Sequence, residues 1–266
     1  MPISAAQSTV LRVISKNRSP DSYVAGATVL HRDAESSRTS IDLDLFHDLE
    51  EQVSANATTD VETLQKAGFT FEWLLRTPAF HRGLVTVDDE KLQIEWAQDS
   101  AFRFFPIQED DEFGYRLHDA DAAVNKLLAL AGRTEARDFV DVLSLNSSYL
   151  SLGTLAWAAG GKDPGYTPAL VLEQAARHAA YTQTDIDRLL LAKPLDVSDL
   201  KGQWIAALED ARQLVASLPA HDLGCLYLNH QDKPVTPDPS AEDFNKLIRH
   251  EGCVYGAWPT ILPENS

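Results

Sequence analysis

Two carboxylates stand two residues apart in Ser40-Ile41-Asp42-Leu43-Asp44-Leu45-Phe46. Ile41, Leu43 and Leu45 alternate with them, which predicts a β-strand over 40–46 with Ser40, Asp42 and Asp44 on one face. Asp is a poor strand former, and carboxylates side by side repel each other. A divalent cation removes that repulsion, so the pair predicts a metal site. Upstream, Gly26-Ala27 at a strand-to-helix turn is separated from Asp42 by fourteen residues. Glycine there lets backbone approach a phosphate, and a helix start supplies N–H donors. Together these features suit two Mg2+ ions shared across a triphosphate, where they would orient the α-phosphate, activate an attacking hydroxyl and stabilise departing pyrophosphate. Asp-x-Asp alone is common, and by itself it reads better as two solvated carboxylates on an edge strand. The glycine spacing, Arg38, Ser40 and the apolar alternation weigh toward the metal.

Glu95 has the parity to add a third carboxylate from a neighbouring strand, because Leu92, Ile94 and Trp96 take the opposite face. An exposed Glu on a two-faced strand is an equal alternative, and Asp99 is a weaker candidate for the same role. Lys126 lies in a helix otherwise made largely of Ala and Leu. It either snorkels to the surface or points into a cleft. Asp138 and Asp141, three apart, share a face of the next helix. Lys126 could then neutralise a triphosphate while one Asp fixes the lysine or polarises the acceptor. A hairpin with surface ion pairs is the other reading, and one helix alone favours it.

The elements that must position these groups follow from periodicity. A helix is predicted over 4–18, a strand over 23–25, a short helix at 29–32 and a loop over 34–39. Next come a helix over 47–67 with a break near 56–59, then strands over 69–76, 80–87 and 91–96. The last two form a hairpin at Asp88-Asp89. Asp119 reads as the N-cap of a helix ending at Gly132, followed by a helix over 135–146. Further helices are predicted near 149–159, 168–181, 185–192, 199–217 and 241–250. Thr167-Pro168 and the Ser240/Asp243 capping box mark two starts, and 223–228 could be an isolated strand. The class is α+β: a small mixed-sheet module over 1–117, then a mainly helical domain over 118–266.

The chain has 266 residues, 44% hydrophobic and 24% charged, as in ordinary globular proteins. No apolar run approaches the ~20 residues that span a bilayer, and no secretory signal is seen. Cys225 and Cys253 lack metal spacing, so a reducing cytoplasm is the default. No HExxH or GxSxG occurs, which argues against a zinc enzyme or a serine hydrolase. The formal charge of −17, from 40 acids and 23 bases, is a poor match to a broad basic face for nucleic acid and leaves room for a local basic pocket. Arg103, Arg116, Lys126, Arg133, Arg137, Arg177, Arg188 and Lys193 could line such a cleft.

The order Gly26-Ala27-Thr28, Arg38-x-Ser40-x-Asp42-x-Asp44, Lys126, then Arg133-x-x-x-Arg137-Asp138-x-x-Asp141 resembles the AbiEii-type nucleotidyltransferases. These are toxins of abortive-infection and type IV toxin–antitoxin systems, within the polymerase-β-like superfamily. The resemblance implies a small mixed sheet, then a helical bundle, with the site between. It implies Mg2+ on Asp42 and Asp44, with Ser40, Lys126 and Asp141 (or Asp138) as the other active-site positions. Gly26, Ala27, Thr28, Arg38, Ser40, Lys126, Arg133 and Arg137 would serve nucleotide binding. It further implies transfer from an NTP, in some members to the 3′ end of tRNA, and an antitoxin encoded by a paired gene. Ala27 departs from the usual second Gly or Ser, and the acidic charge suits tRNA poorly. The alternatives are a small-molecule or protein hydroxyl as acceptor, or a non-catalytic nucleotide-binding relative.

Overall fold

In the computed structural model, residues 3–32, 38–40 and 42–259 are described. The elements in chain order begin with α1 (Ala5–Ile14), β1 (Ser22–Val24), α2 (Gly26–Leu30), β2 (Asp42–His47) and α3 (Glu50–Lys66). Then come β3 (Thr70–Thr77), β4 (Phe80–Val87), β5 (Glu90–Gln98), β6 (Phe102–Arg103), β7 (Gln108–Asp110) and β8 (Gly114–Arg116). The remainder is α4 (Asp119–Gly132), α5 (Ala136–Ser148), α6 (Leu152–Lys162), α7 (Pro168–His178), α8 (Gln183–Asp187), α9 (Val197–Ser217), β9 (Leu226–Leu228), β10 (Ile248–His250) and β11 (Cys253–Val254). The class is the expected α+β.

Two compact units interleave along the chain. The first holds 1–101, 107–122 and 183–195; the second holds 102–106, 123–182 and 196–266. Among the described residues, no helix is long and apolar enough to cross a membrane.

The first unit is built on a seven-stranded mixed sheet in the order β3-β4-β5-β2-β1-β8-β7. β2 runs parallel to β5, and β1 parallel to β8; the other pairs are antiparallel. The acidic strand is therefore central, between β5 and β1, rather than at an edge. Leu43 and Leu45 are fully buried and Asp42 and Asp44 half-buried, the alternation that the sequence predicts. Ile41 and much of the 34–39 loop lie outside the described residues. The apolar face joins Val85, Ile94 and Trp96 to Val10, Leu11 and Ile14 of α1 and Val53, Ala57, Val61 and Leu64 of α3 in one core. Ser4 closes a capping box with Gln7 at the start of α1. The break expected near 56–59 is absent. Thr58, Thr59 and Thr63 donate to carbonyls one turn back, and Ala57 and Asp60 are buried, so α3 continues unbroken. The hairpin turn is as predicted, with positive φ at Asp88 and Asp89, 47° and 69°.

His47 ends β2 on the buried face, its Nε2 3.1 Å from Ser22 Oγ. Burial, reinforced by the nearby Arg18 charge, pushes its pKa down to about 4 from 6.5. The unfolded chain thus binds more protons than the native one between those values. The contribution is full above pH 6.5 and is lost as pH falls through 4, on the order of 3 kcal/mol in all. His47→Asn is expected to show a shallower fall in unfolding free energy between pH 6.5 and 4 than the parent, measured by urea titration. Parallel curves would refute this.

The second unit packs α6 against α7 and α9, and α5 against α6 and α9. Thr167 caps α7 with Pro168 in its first turn, as expected. Residues 241–250 do not form the expected helix. Ser240 donates its N–H and hydroxyl to Asp238 Oδ1, so its side chain caps no helix, and Ile248–His250 pairs with Leu226–Leu228 as β10 on β9. The 223–228 strand is accordingly not isolated. The helix expected over 185–192 is only α8; beyond it Leu190 O accepts Thr39 N–H at 2.9 Å and Leu191 bridges to Arg38 within the first unit. Asp119 lies inside α4 rather than capping it, where its carboxylate takes Arg32 and Arg116.

Candidate active site

Parallel pairing sets the first cluster. Asp42 lies opposite Gln93 and Asp44 opposite Glu95, while antiparallel pairing sets Arg82 opposite Glu95. Because alternate residues share a face, all five side chains stand on the side of the sheet away from the core. Gln93 Nε2 donates to Asp42 Oδ1 at 3.0 Å and to Glu95 Oε1 at 2.8 Å. Arg82 Nε donates to the same Glu95 oxygen at 2.7 Å.

Gly26 completes this cluster. Its φ is +61°, and a Cβ there would stand 2.0 Å from Asp44 Oδ2. Only glycine lets the chain turn left-handed this close to the carboxylate. Ala25 N–H donates to Asp44 O at 2.9 Å, which ties the turn to the strand. Ala27 is buried. The hydroxyls of Thr28 and Ser40 both donate to Asp42 O, at 3.1 and 2.9 Å. Arg38 is buried and reaches Thr39 O at 3.2 Å. Sequence reasoning missed Gln7, whose buried amide donates to Ser40 O at 2.9 Å, and the pair Gln93 and Arg82. The parity of Gln93 was visible; its partner strand was not.

Among the described residues, no three His, Cys, Asp or Glu side chains form a group that could hold an ion. Two carboxylates nonetheless suit Mg2+, which keeps several waters and takes substrate phosphate oxygens. Asp42 and Asp44, half-buried on one face with glycine backbone against Asp44, fit that donor set.

The second unit holds the other cluster. Lys126 Nζ lies 2.9 Å from Asp138 Oδ1 and 3.1 Å from Asp141 Oδ2, with its side chain only 7% exposed and both carboxylates fully buried. It therefore does not snorkel. Arg133 Nε adds a bond to Asp138 Oδ2 at 2.8 Å from a half-exposed position. Burial alone would raise the Asp138 pKa, but the Lys126 charge and the Arg133 bond outweigh it and hold the carboxyl below its ordinary value. The same bond raises Arg133. Arg137 lies 4.0 Å from Glu135. Of the other expected cationic residues, Arg103 is buried, and Arg116, Arg177 and Arg188 face Asp110, Glu173 and Asp185.

The chain has the nucleotidyltransferase fold. MenT4, a nucleotidyltransferase toxin from Mycobacterium tuberculosis, matches with a TM-score of 0.55 at 17% identity over 81% of this chain and 83% of its own. A candidate nucleotidyltransferase from Helicobacter pylori matches with 0.53 at 19% identity over 80% and 96%. JHP933 of Helicobacter pylori gives 0.50 at 19% over 78% and 91%. No family model and no curated protein matches the sequence. The likeness is one of fold, and the chemistry rests on the clusters.

Proposed function

We propose that this chain is a Mg2+-dependent nucleotidyltransferase that moves nucleotides from an NTP to an RNA 3′ end, tRNA first. The observation that carries the reading is Gly26 seated without a Cβ against Asp44, on the face that also bears Asp42, in a sheet of nucleotidyltransferase fold. Asp42 and Asp44 would hold the metal. When bound, Mg2+ would orient the α-phosphate, activate the attacking hydroxyl and stabilise the leaving pyrophosphate. The acceptor hydroxyl loses its proton to solvent as its oxygen attacks the α-phosphorus, the bond from that phosphorus to the oxygen bridging the β-phosphate breaks, and pyrophosphate departs. Gly26, Ala27, Thr28, Arg38, Arg133 and Arg137 are assigned to the nucleotide. Ser40, Lys126, Asp138 and Asp141 are assigned to the reaction, from the order of the motifs in the chain. The biological role assigned is that of a cytoplasmic toxin paired with an antitoxin, supported by that motif order and by MenT4, a toxin of the same fold.

The experiment is incubation with each labelled NTP, Mg2+ and total tRNA. Label on tRNA supports the proposal. Label on a small molecule or protein supports a second reading, favoured by the −17 charge and by Arg116, Arg177 and Arg188 lying beside acids. No transfer to any acceptor sinks both.

Gly26→Ala is expected to lower transfer about a hundredfold, because the new methyl must displace the Asp44 carboxylate by an ångström or so. The left-handed backbone adds roughly 1–2 kcal/mol of instability. Steady-state transfer rates, with a thermal melt to separate the two effects, check this.

A further inference from the structure

The Gln93–Glu95–Arg82 chain has no role in the reading above and bears on the metal it invokes. We infer that Glu95 is not a third ligand but, with Gln93, a positioning group that fixes the Asp42 carboxylate for a divalent cation. This rests on the nucleotidyltransferase reading of Asp42 and Asp44.

The observations run outward from Asp42. Gln93 Nε2 has two hydrogens; one goes to Asp42 Oδ1 at 3.0 Å and the other to Glu95 Oε1 at 2.8 Å. An amide nitrogen so placed fixes the Asp42 rotamer and occupies an oxygen that could otherwise turn. Glu95 is in turn held by Arg82 Nε at 2.7 Å, with the Glu95 side chain 17% exposed. Glu95 Oε1 takes both the Arg82 guanidinium and the Gln93 amide, so this oxygen is committed to hydrogen bonds within the sheet face. The arrangement matches the outer partners that orient metal-ligating carboxylates elsewhere, whose loss weakens metal affinity or activity 10–100-fold.

The two roles of Glu95 make opposite predictions. A ligand acts by its charge; a positioning group acts by accepting hydrogen bonds, which an amide oxygen does as well. The probe is Mn2+ in place of Mg2+, followed by the loss of its free-ion paramagnetic resonance signal on the full chain without NTP. Glu95→Gln is expected to bind Mn2+ within about threefold of the parent. Gln93→Met and Glu95→Leu are each expected to weaken binding roughly tenfold, and together no more than either alone. Arg82→Met is expected to weaken it too, by loosening Glu95. Thermal melts confirm that each variant is folded, and Gln93→Glu, which sets a charge against Asp42, serves if Gln93→Met is not. If Glu95→Gln is as damaging as Asp42→Asn, or Arg82→Met tightens binding by releasing a ligand, the inference is wrong. If Gln93→Met binds like the parent, it is also wrong, while the metal reading stands. If the parent binds no Mn2+, the metal reading itself falls and takes this with it.

Discussion

Asp44→Asn is expected to reduce nucleotide transfer about a thousandfold or more while the protein stays folded. The side chain keeps its shape and loses the charge that a cation needs. Transition-state stabilisation by a bound metal amounts to several kcal/mol, and roughly 4 kcal/mol corresponds to a factor of about a thousand. The effect on folding is expected to be small, since Asp44 is half-buried and sits beside another carboxylate, whose repulsion the change relieves. Transfer assays over a range of Mg2+, with melts of the same sample, separate the two. A variant that retains a tenth of the parent rate would remove Asp44 from the metal site. The same assay on Lys126→Met tests the second cluster, where unchanged transfer would leave that lysine a purely structural role.

The largest loss of stability is expected from Asp60→Ala. Arg18 Nη2 lies 2.5 Å from both Asp60 oxygens, and neither side chain is exposed. Asp60 also accepts Trp96 Nε1 at 2.7 Å and Asn17 Nδ2 at 2.9 Å, so it joins α3 to β5 and to the residues behind α1. Removing the carboxylate strands a guanidinium in the core, which costs about 3–5 kcal/mol. Against a total stability of roughly 5–15 kcal/mol, that is enough to unfold a marginal protein. The exposed pair Lys66–Glu62, 3.6 Å apart on the same helix, is expected to contribute under about 1 kcal/mol. The double change Arg18→Met with Asp60→Leu should recover most of the loss, since it leaves no buried charge. Urea titrations of the three variants decide it; a single Asp60→Ala loss below about 1 kcal/mol would show that the pair is not held dry.

What was legible in the sequence was local. The alternation around Asp42 and Asp44, the Asp88-Asp89 turn, the parity of Glu95 and the Thr167-Pro168 start all depend on neighbours within a few residues. What was not legible depends on register between distant segments. Nothing local says that β2 pairs parallel with β5, so Gln93 and Arg82 could not be matched to Asp42 and Glu95. Gln7 looked like one more polar residue on an amphipathic helix. Ser240 and Asp243 had the spacing of a capping box, but Asp238 two residues earlier takes the Ser240 N–H that the box would give to Asp243. Lys126 was ambiguous from its own helix, and burial beside Asp138 and Asp141 resolves its direction but not its task.

The return of residues 183–195 to the first unit has a consequence for how the chain is made. Arg38 bridges to Leu191, a separation of 191 − 38 = 153 residues. A ribosome adding about 5–20 residues per second leaves Arg38 and Thr39 without that neighbour for roughly 8–30 s. The approach to the acidic strand is therefore among the last parts of the first unit to close during synthesis. A shortened chain ending before Gln183 would keep every strand of the seven-stranded sheet yet lack the piece that lies along Arg38 and Thr39, so truncation cannot yield that unit whole. A nascent chain is thereby kept from completing this part of the first unit until most of the protein exists.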